Sequence, residues 1–204
     1  EDADYDNIFI IGPSHNFAFN GASVYTSGDF LTPLGTVKVN KETGRKLKEI
    51  STVFVSRDEV HNPEHSLEVQ LPFIQCHFKK NIPIVPILIG TGNTHLLKAI
   101  SEALQPYFND RNLFVISSDF SHYPSADDAT RVDSITMEAI LKGDPDHFLS
   151  TVRNLESEGT RGLATAMCGW APGYILLEMA SHDKGLTFRH IEYTNSGNTV
   201  YGDK

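Results

Sequence analysis

The sequence predicts an α/β fold: a three-layer domain with a mostly parallel or mixed central sheet flanked by helices. Three observations carry that reading. Short β-branched runs such as "NIFIIG" (7–12), "PIVPILIG" (83–90) and "NLFVIS" (112–117) read as buried strands. Stretches with apolar residues at helical spacing separate them, so strand and helix alternate along the chain. Glycine and proline are spread through turns, with no internal repeat, low-complexity segment or interdomain linker, so a single domain over residues 1–204 is expected.

In order, "NIFIIG" is a strand that runs into a loop at Gly12-Pro13. A polar loop with a short hairpin is expected around "ASVYTSGDF" (22–30). "TVKVN" (36–40) alternates like a half-exposed strand, and Asn40 caps a charged helix, "KETGRKLKEI" (41–50). "STVFVS" (51–56) is a further short strand. From Pro63 the pattern turns helical, with Leu67, Leu71, Ile74 and Phe78 in one stripe and Pro72 placed to kink or divide the helix. "PIVPILIG" is a strand, "THLLKAISEALQPYF" (94–108) a helix and "NLFVISSD" (112–119) a strand. Helices are expected over 127–141, 145–155 and about 168–182, then a late strand in "LTFRHIEYT" (186–194) and a last short one in "TVYG" (199–202).

Composition excludes several classes. The net charge of −9 and the lack of a basic run argue against a nucleic-acid partner. No apolar segment approaches the roughly 20 residues that span a bilayer, so no membrane partner is expected. The acidic opening "EDADYD" is no signal peptide, and two cysteines are too few for a disulfide framework; a reducing cytoplasm is the default. The chain opens without an initiator Met and almost at once on a strand, which predicts a segment upstream of it.

Functional residues of open α/β sheets gather beyond the carboxyl ends of strands. Three polar clusters stand there: "GPSHN", "GTGN" and "SSDFSH". His15, after a Gly-Pro turn, is a metal ligand or acid/base, or else a loop histidine bonded to a neighbouring carbonyl. Asp119 can orient His122 in one cavity; the plainer alternative is a capping Asp119 and a surface His122. Cys168 opens an apolar helix, where the N-terminus favours the thiolate that binds metal or attacks an electrophile. Cys76 reads as a small packed residue. In "HNPEHSLEVQLP" (61–72), His65 and Glu68 are one helical turn apart and can share a face. "GTGNTH" loosely suggests an anion-binding turn, without the Lys of a P-loop or a complete G-x-G-x-x-G.

Taken in order, "IFIIGPSH", "EHSLEVQLPF", "IVPILIG", "LFVISSDFSHY" and "CGWAPGYILLEMA" resemble the MEMO family, also known as the AmmeMemoRadiSam system protein B group, from about Ile8 to the end of the chain. The resemblance implies a fold related to class III extradiol dioxygenases, which use non-haem iron. It also implies a cleft in which two histidines and a cysteine hold iron or copper. His15 in "GPSH" matches one histidine and Cys168 in "CG" the cysteine. The other histidine belongs to an upstream "A-P-H-A-G-Y"-like segment that these residues do not include. Asp119 and His122 match the aspartate and histidine that complete the cleft, and His65 and Glu68 match an "E-H-S-x-E" segment beside it. Asn16 stands where relatives commonly carry a second histidine.

Imidazole with thiolate suits iron, copper(I) or zinc, whereas magnesium and calcium prefer oxygen ligands. The leading expectation is a metal-dependent redox enzyme in which His15 and Cys168 ligate and His122, oriented by Asp119, moves protons. The alternative is a non-catalytic module whose cleft holds a peptide or small-molecule ligand. A third reading makes Cys168 a nucleophile and His122 its base.

Overall fold

The computed structural model of the chain describes residues 4–78 and 80–199. Its central sheet is built around the first strand. β1 (Asn7–Pro13) is buried along its whole length and pairs in parallel with β6 (Ile84–Ile89) on one side and β7 (Asn112–Ile116) on the other. β2 (Ala22–Val24) adds antiparallel to β6, and β5 (Phe54–Val55) parallel to β2, giving the order β5-β2-β6-β1-β7. The sheet is therefore mixed, as expected. β3 (Phe30–Thr32) and β4 (Gly35–Val37) form a separate antiparallel pair.

Strand side chains alternate between faces, and both faces of this sheet are covered. Phe9 and Ile11 point into a core shared with α1 (Lys41–Ile50), α4 (Thr94–Leu104), α5 (Ala126–Leu141), α6 (Pro145–Ser157) and α7 (Trp170–Ser181). Ile8 and Ile10 point the other way, into a core closed by the β3–β4 pair, α2 (Asp58–His61) and α3 (Leu71–His77). All four of these side chains are fully buried, so truncating Ile10 to Ala should cost about 2–5 kcal/mol. Among the described residues, no helix is long and apolar enough to cross a membrane.

The caps explain several boundaries. Asn40 accepts the Thr43 N–H and starts α1, as the sequence suggested. Asn93 accepts the N–H groups of both His95 and Leu96, so "GTGN" supplies a helix cap that takes up two of the first-turn donors. Pro72 falls in the first turn of α3, where it costs no hydrogen bond. It opens the helix, and a 3₁₀ turn over Glu68–Gln70 precedes it.

Three expectations are corrected. "ASVYTSGDF" makes no hairpin of its own, because β2 joins the central sheet while β3 pairs with β4. "LTFRHIEYT" forms no strand: Phe188 packs on the helical core and the Tyr193 hydroxyl bonds Asp133 of α5, so two side chains five residues apart tie an irregular segment to the helix layer. Ile191, between them, is 95% exposed. The predicted last strand "TVYG" lies outside the described residues apart from Thr199. The final helix begins at Trp170, so Cys168 precedes it, just before its Gly169 cap.

Candidate functional site

β6, β1 and β7 are three adjacent parallel strands, so "GTGN", "SHN" and "SSDFSH" leave the sheet side by side at its carboxyl edge. The segment 64–70 seats across the same edge. Ser66 Oγ donates to the Pro13 carbonyl at 3.0 Å, and Gln70 Nε2 donates to Ser117 Oγ at 3.0 Å. This approach requires glycine at position 12, where an added Cβ would lie 2.7 Å from Ser66 Oγ.

Glu64 organises the first half of the site. Its side chain is only 1% exposed. Oε2 accepts the His15 backbone N–H at 2.6 Å; Oε1 faces His15 Nδ1 at 3.0 Å and accepts the N–H groups of His65 at 2.9 Å and Ser66 at 3.0 Å. Burial pushes this carboxyl up, but the hydrogen bonds from the His15 backbone and ring and from Ser66 prevail and hold it down at about 2. An ionised Glu64 is an acceptor, so it faces a protonated Nδ1 of His15 and selects, for the neutral ring, the tautomer whose lone pair is on Nε2. That nitrogen takes no partner among the described residues. A carboxylate behind an imidazole is the arrangement that orients histidine toward a metal.

The same bonds shape the stretch from His65 to Glu68, which is a turn leading into the 3₁₀ turn rather than a regular helix. Glu64 captures the N–H groups one and two residues on, which holds the chain in a turn. His65 is 71% exposed and stacks its ring on His15, with centroids 5.3 Å apart and planes at 15°. Glu68 is exposed in the 3₁₀ turn. His15, Glu64 and His65 each bring one ligand-capable atom within 4.8 Å of the others, a possible His/Glu metal site. Glu64 Oε1 already receives several hydrogen bonds there, so its present role is to position His15.

Cys168 organises the second half. Its Sγ accepts the Asp119 N–H at 3.3 Å and lies 3.6 Å from Ser118 Oγ, while its own N–H donates to the Asp119 carbonyl at 3.2 Å. Gly169 N–H donates to Ser118 Oγ at 2.7 Å. A Cβ at Gly169 would lie 2.5 Å from that of Ser118, so glycine permits the contact. The sulfur is thus half-buried against the end of β7, facing one N–H donor that suits a thiolate, that of Asp119, while the Ser118 hydroxyl gives its proton to the Asp119 carbonyl at 2.8 Å.

His122 is placed by its backbone. Its N–H donates to Thr165 O and its carbonyl accepts from Ala164 N–H, both at 3.1 Å. The expected bond from Asp119 is not made: the carboxylate is 86% exposed and 4.0 Å from His122 Nε2. That nitrogen, Ser14 Oγ and Ser121 Oγ are buried polar atoms without a partner among the described residues. Next to them Tyr123 has φ of +70°, the left-handed region, and an exposed ring set edge-on to His122. Sequence reasoning gave Glu64 no role. The signal was there, since Glu64 stands three residues before Leu67, in line with the apolar stripe.

Residues 1–203 match a protein family described as Memo-like protein. The chain is 33% identical to a MEMO1 family protein of Aeropyrum pernix, covering 98% of this chain and 68% of that protein. It is 34% identical to one of Thermoplasma acidophilum, over 95% and 68%. A protein memo-1 homolog of Caenorhabditis elegans is 30% identical, over 94% of this chain and 59% of the relative. Among solved structures, an uncharacterized protein of Escherichia coli K12 shares the fold with a TM-score of 0.56 at 15% identity, over 90% of this chain and 78% of the other.

Proposed function

Because the chain belongs to the Memo-like protein family, we propose that its carboxyl-edge cleft binds a redox-active metal, iron or copper, with His15 and Cys168 as ligands from this chain. The observation that carries the reading is His15, locked at Nδ1 by buried Glu64 with Nε2 left open. The donor set fits: imidazole and thiolate suit iron, copper(I) or zinc better than a hard cation. A metal bound there supplies redox or Lewis-acid chemistry. The protein's own groups do the rest. Glu64 holds the His15 ring, the Asp119 N–H and Ser118 hydroxyl face the Cys168 sulfur, and His122 Nε2 is free to take or give a proton to a bound substrate.

Metal content after anaerobic loading with Fe(II) or Cu(I) tests this. His15→Ala and Cys168→Ser should lose the metal, and Glu64→Gln should bind it roughly 10- to 100-fold more weakly. Wild-type occupancy in His15→Ala and Cys168→Ser overturns the reading. One observation favours a second reading, a non-catalytic cleft for a peptide or small molecule: Ser14, Ser121 and His122 leave buried polar atoms for a ligand to satisfy. Saturable peptide binding that is unchanged by metal removal would select it.

A further inference from the structure

The loop bearing Asp119 and His122 is also held from the side away from Cys168. Asp133, at the middle of α5, is 4% exposed and engages both carboxylate oxygens. Oδ1 accepts the Ser121 N–H at 2.8 Å, and Oδ2 accepts the Tyr193 hydroxyl at 2.7 Å. Asn195 Nδ2 in turn donates to the Tyr193 oxygen at 3.2 Å. Tyr193 lies on the irregular segment that follows α7, and that segment is anchored upstream by Phe188 in the helical core.

A buried aspartate in the interior of a helix is unfavourable on two counts, desolvation and helix propensity. An apolar residue would pack there without either cost. What an aspartate adds is a two-sided acceptor that joins the carboxyl-terminal segment to the Ser121 backbone. The joint matters because no side-chain hydrogen bond aims the His122 ring: Nε2 has no partner and Asp119 stands 4.0 Å away. The ring goes where the backbone sends it. That backbone is fixed at Ser121 by Asp133, at His122 by Ala164 and Thr165, and at Tyr123 by a left-handed turn.

We propose that Asp133 and Tyr193 are positioning residues for His122. The Tyr193 hydroxyl orients the Asp133 carboxylate, and the carboxylate sets the Ser121–His122 backbone. Burial, and beyond it the facing carboxylate, raise the Tyr193 phenol above its ordinary value despite the Asn195 contact, so the hydroxyl keeps the proton it donates. The role of His122 in the cleft rests on the function proposed above; the joint itself does not.

The test is NMR on the full chain, ¹⁵N-labelled and ¹³C-labelled at histidine, without added metal or substrate. Tyr193→Phe removes one hydroxyl and keeps the ring. It should speed hydrogen exchange at the Ser121 amide about tenfold, as loss of roughly one hydrogen bond implies. It should also shift or broaden the His122 ring signal while leaving that of His15 in place. Asp133→Asn can keep both contacts, with its amide oxygen on Ser121 N–H and its NH₂ on the Tyr193 oxygen, and should restore the wild-type His122 signal; Asp133→Ala should not. A lower unfolding midpoint in Tyr193→Phe with Ser121 exchange and the His122 signal unmoved overturns the proposal, because the contact would then be merely structural. Metal occupancy decides the proposed function separately, so either can fail alone.

Discussion

At its amino end β1 is tied to its surroundings by Asn7, which donates to Asn112 at 2.9 Å and accepts from Asn40 at 2.6 Å. At its carboxyl end the chain leaves the sheet into His15, gripped by Glu64, beside the Cys168 and His122 loops. Both ends bury polar groups, and the chemistry differs. The amide chain is neutral, and Asn112 completes it with a bond to Tyr107 O. The carboxyl end holds titratable groups and leaves Ser14, Ser121 and His122 with buried atoms that meet no partner among the described residues. A polar network that satisfies itself serves the fold, whereas one that stops short keeps unmet hydrogen-bonding capacity.

The largest expected effect breaks the carboxyl end. Glu64→Ala leaves the His15 ring and the N–H groups of His15, His65 and Ser66 facing an apolar gap, which should cost about 3 kcal/mol or more in urea unfolding. A cost under about 1 kcal/mol would mean that water replaces the carboxylate freely, contrary to its burial.

Acid should reach this end of the molecule in two steps. His61 is buried and its pKa is held at about 4, chiefly by desolvation, against an ordinary 6.5. The unfolded chain therefore binds the proton first, and stability should fall as pH drops from about 6.5 to 4, by on the order of 3 kcal/mol. Glu64, ordinarily at 4.5 and held at about 2, contributes stability that is present above 4.5 and is lost as pH falls toward 2. Unfolding free energies of the metal-free chain from pH 7 to 3 check both. His61→Gln should flatten the first step and keep the second; an unchanged first step would remove His61 as its cause.

Much of this was legible in the sequence because the signals are local. The buried runs around Ile10, Ile87 and Val115 declared the strands, Asn40 declared a cap, and polar residues past three strand ends marked the edge where the site lies. Non-local relations were not legible. Glu64 reaches His15 across 49 residues, and only its place in line with Leu67 and Leu71 hinted that the carboxylate is buried. The stretch holding His65 and Glu68 looked like regular helix because spacing cannot show a side chain capturing backbone donors. In 186–194 the side chains that are not exposed are Phe188 and Tyr193, five residues apart, so the alternation marked no packed face; what these two meet is a helix layer, and β-propensity does not specify the partner.

A moderate effect sharpens the contrast at the amino end. Asn7→Ala removes the middle of the amide chain and should cost about 1–2 kcal/mol, while metal occupancy stays at the wild-type level. Loss of metal in that variant would show that the two ends of β1 are coupled through the strand.

The smallest expected effect discriminates most between ligand sets. The His65 ring is mostly exposed, and what His65 gives Glu64 most directly is its backbone N–H, which alanine also has. His65→Ala should therefore change stability by no more than about 0.5 kcal/mol. It should also leave His15 Nε2 open and the Cys168 contacts untouched, so metal affinity should fall far less than in His15→Ala. A His65→Ala protein as metal-free as His15→Ala would place the imidazole of His65 in the first coordination sphere. The centre would then be the His15, Glu64 and His65 cluster, with Glu64 giving up hydrogen bonds on metal binding, and Cys168→Ser would retain the metal.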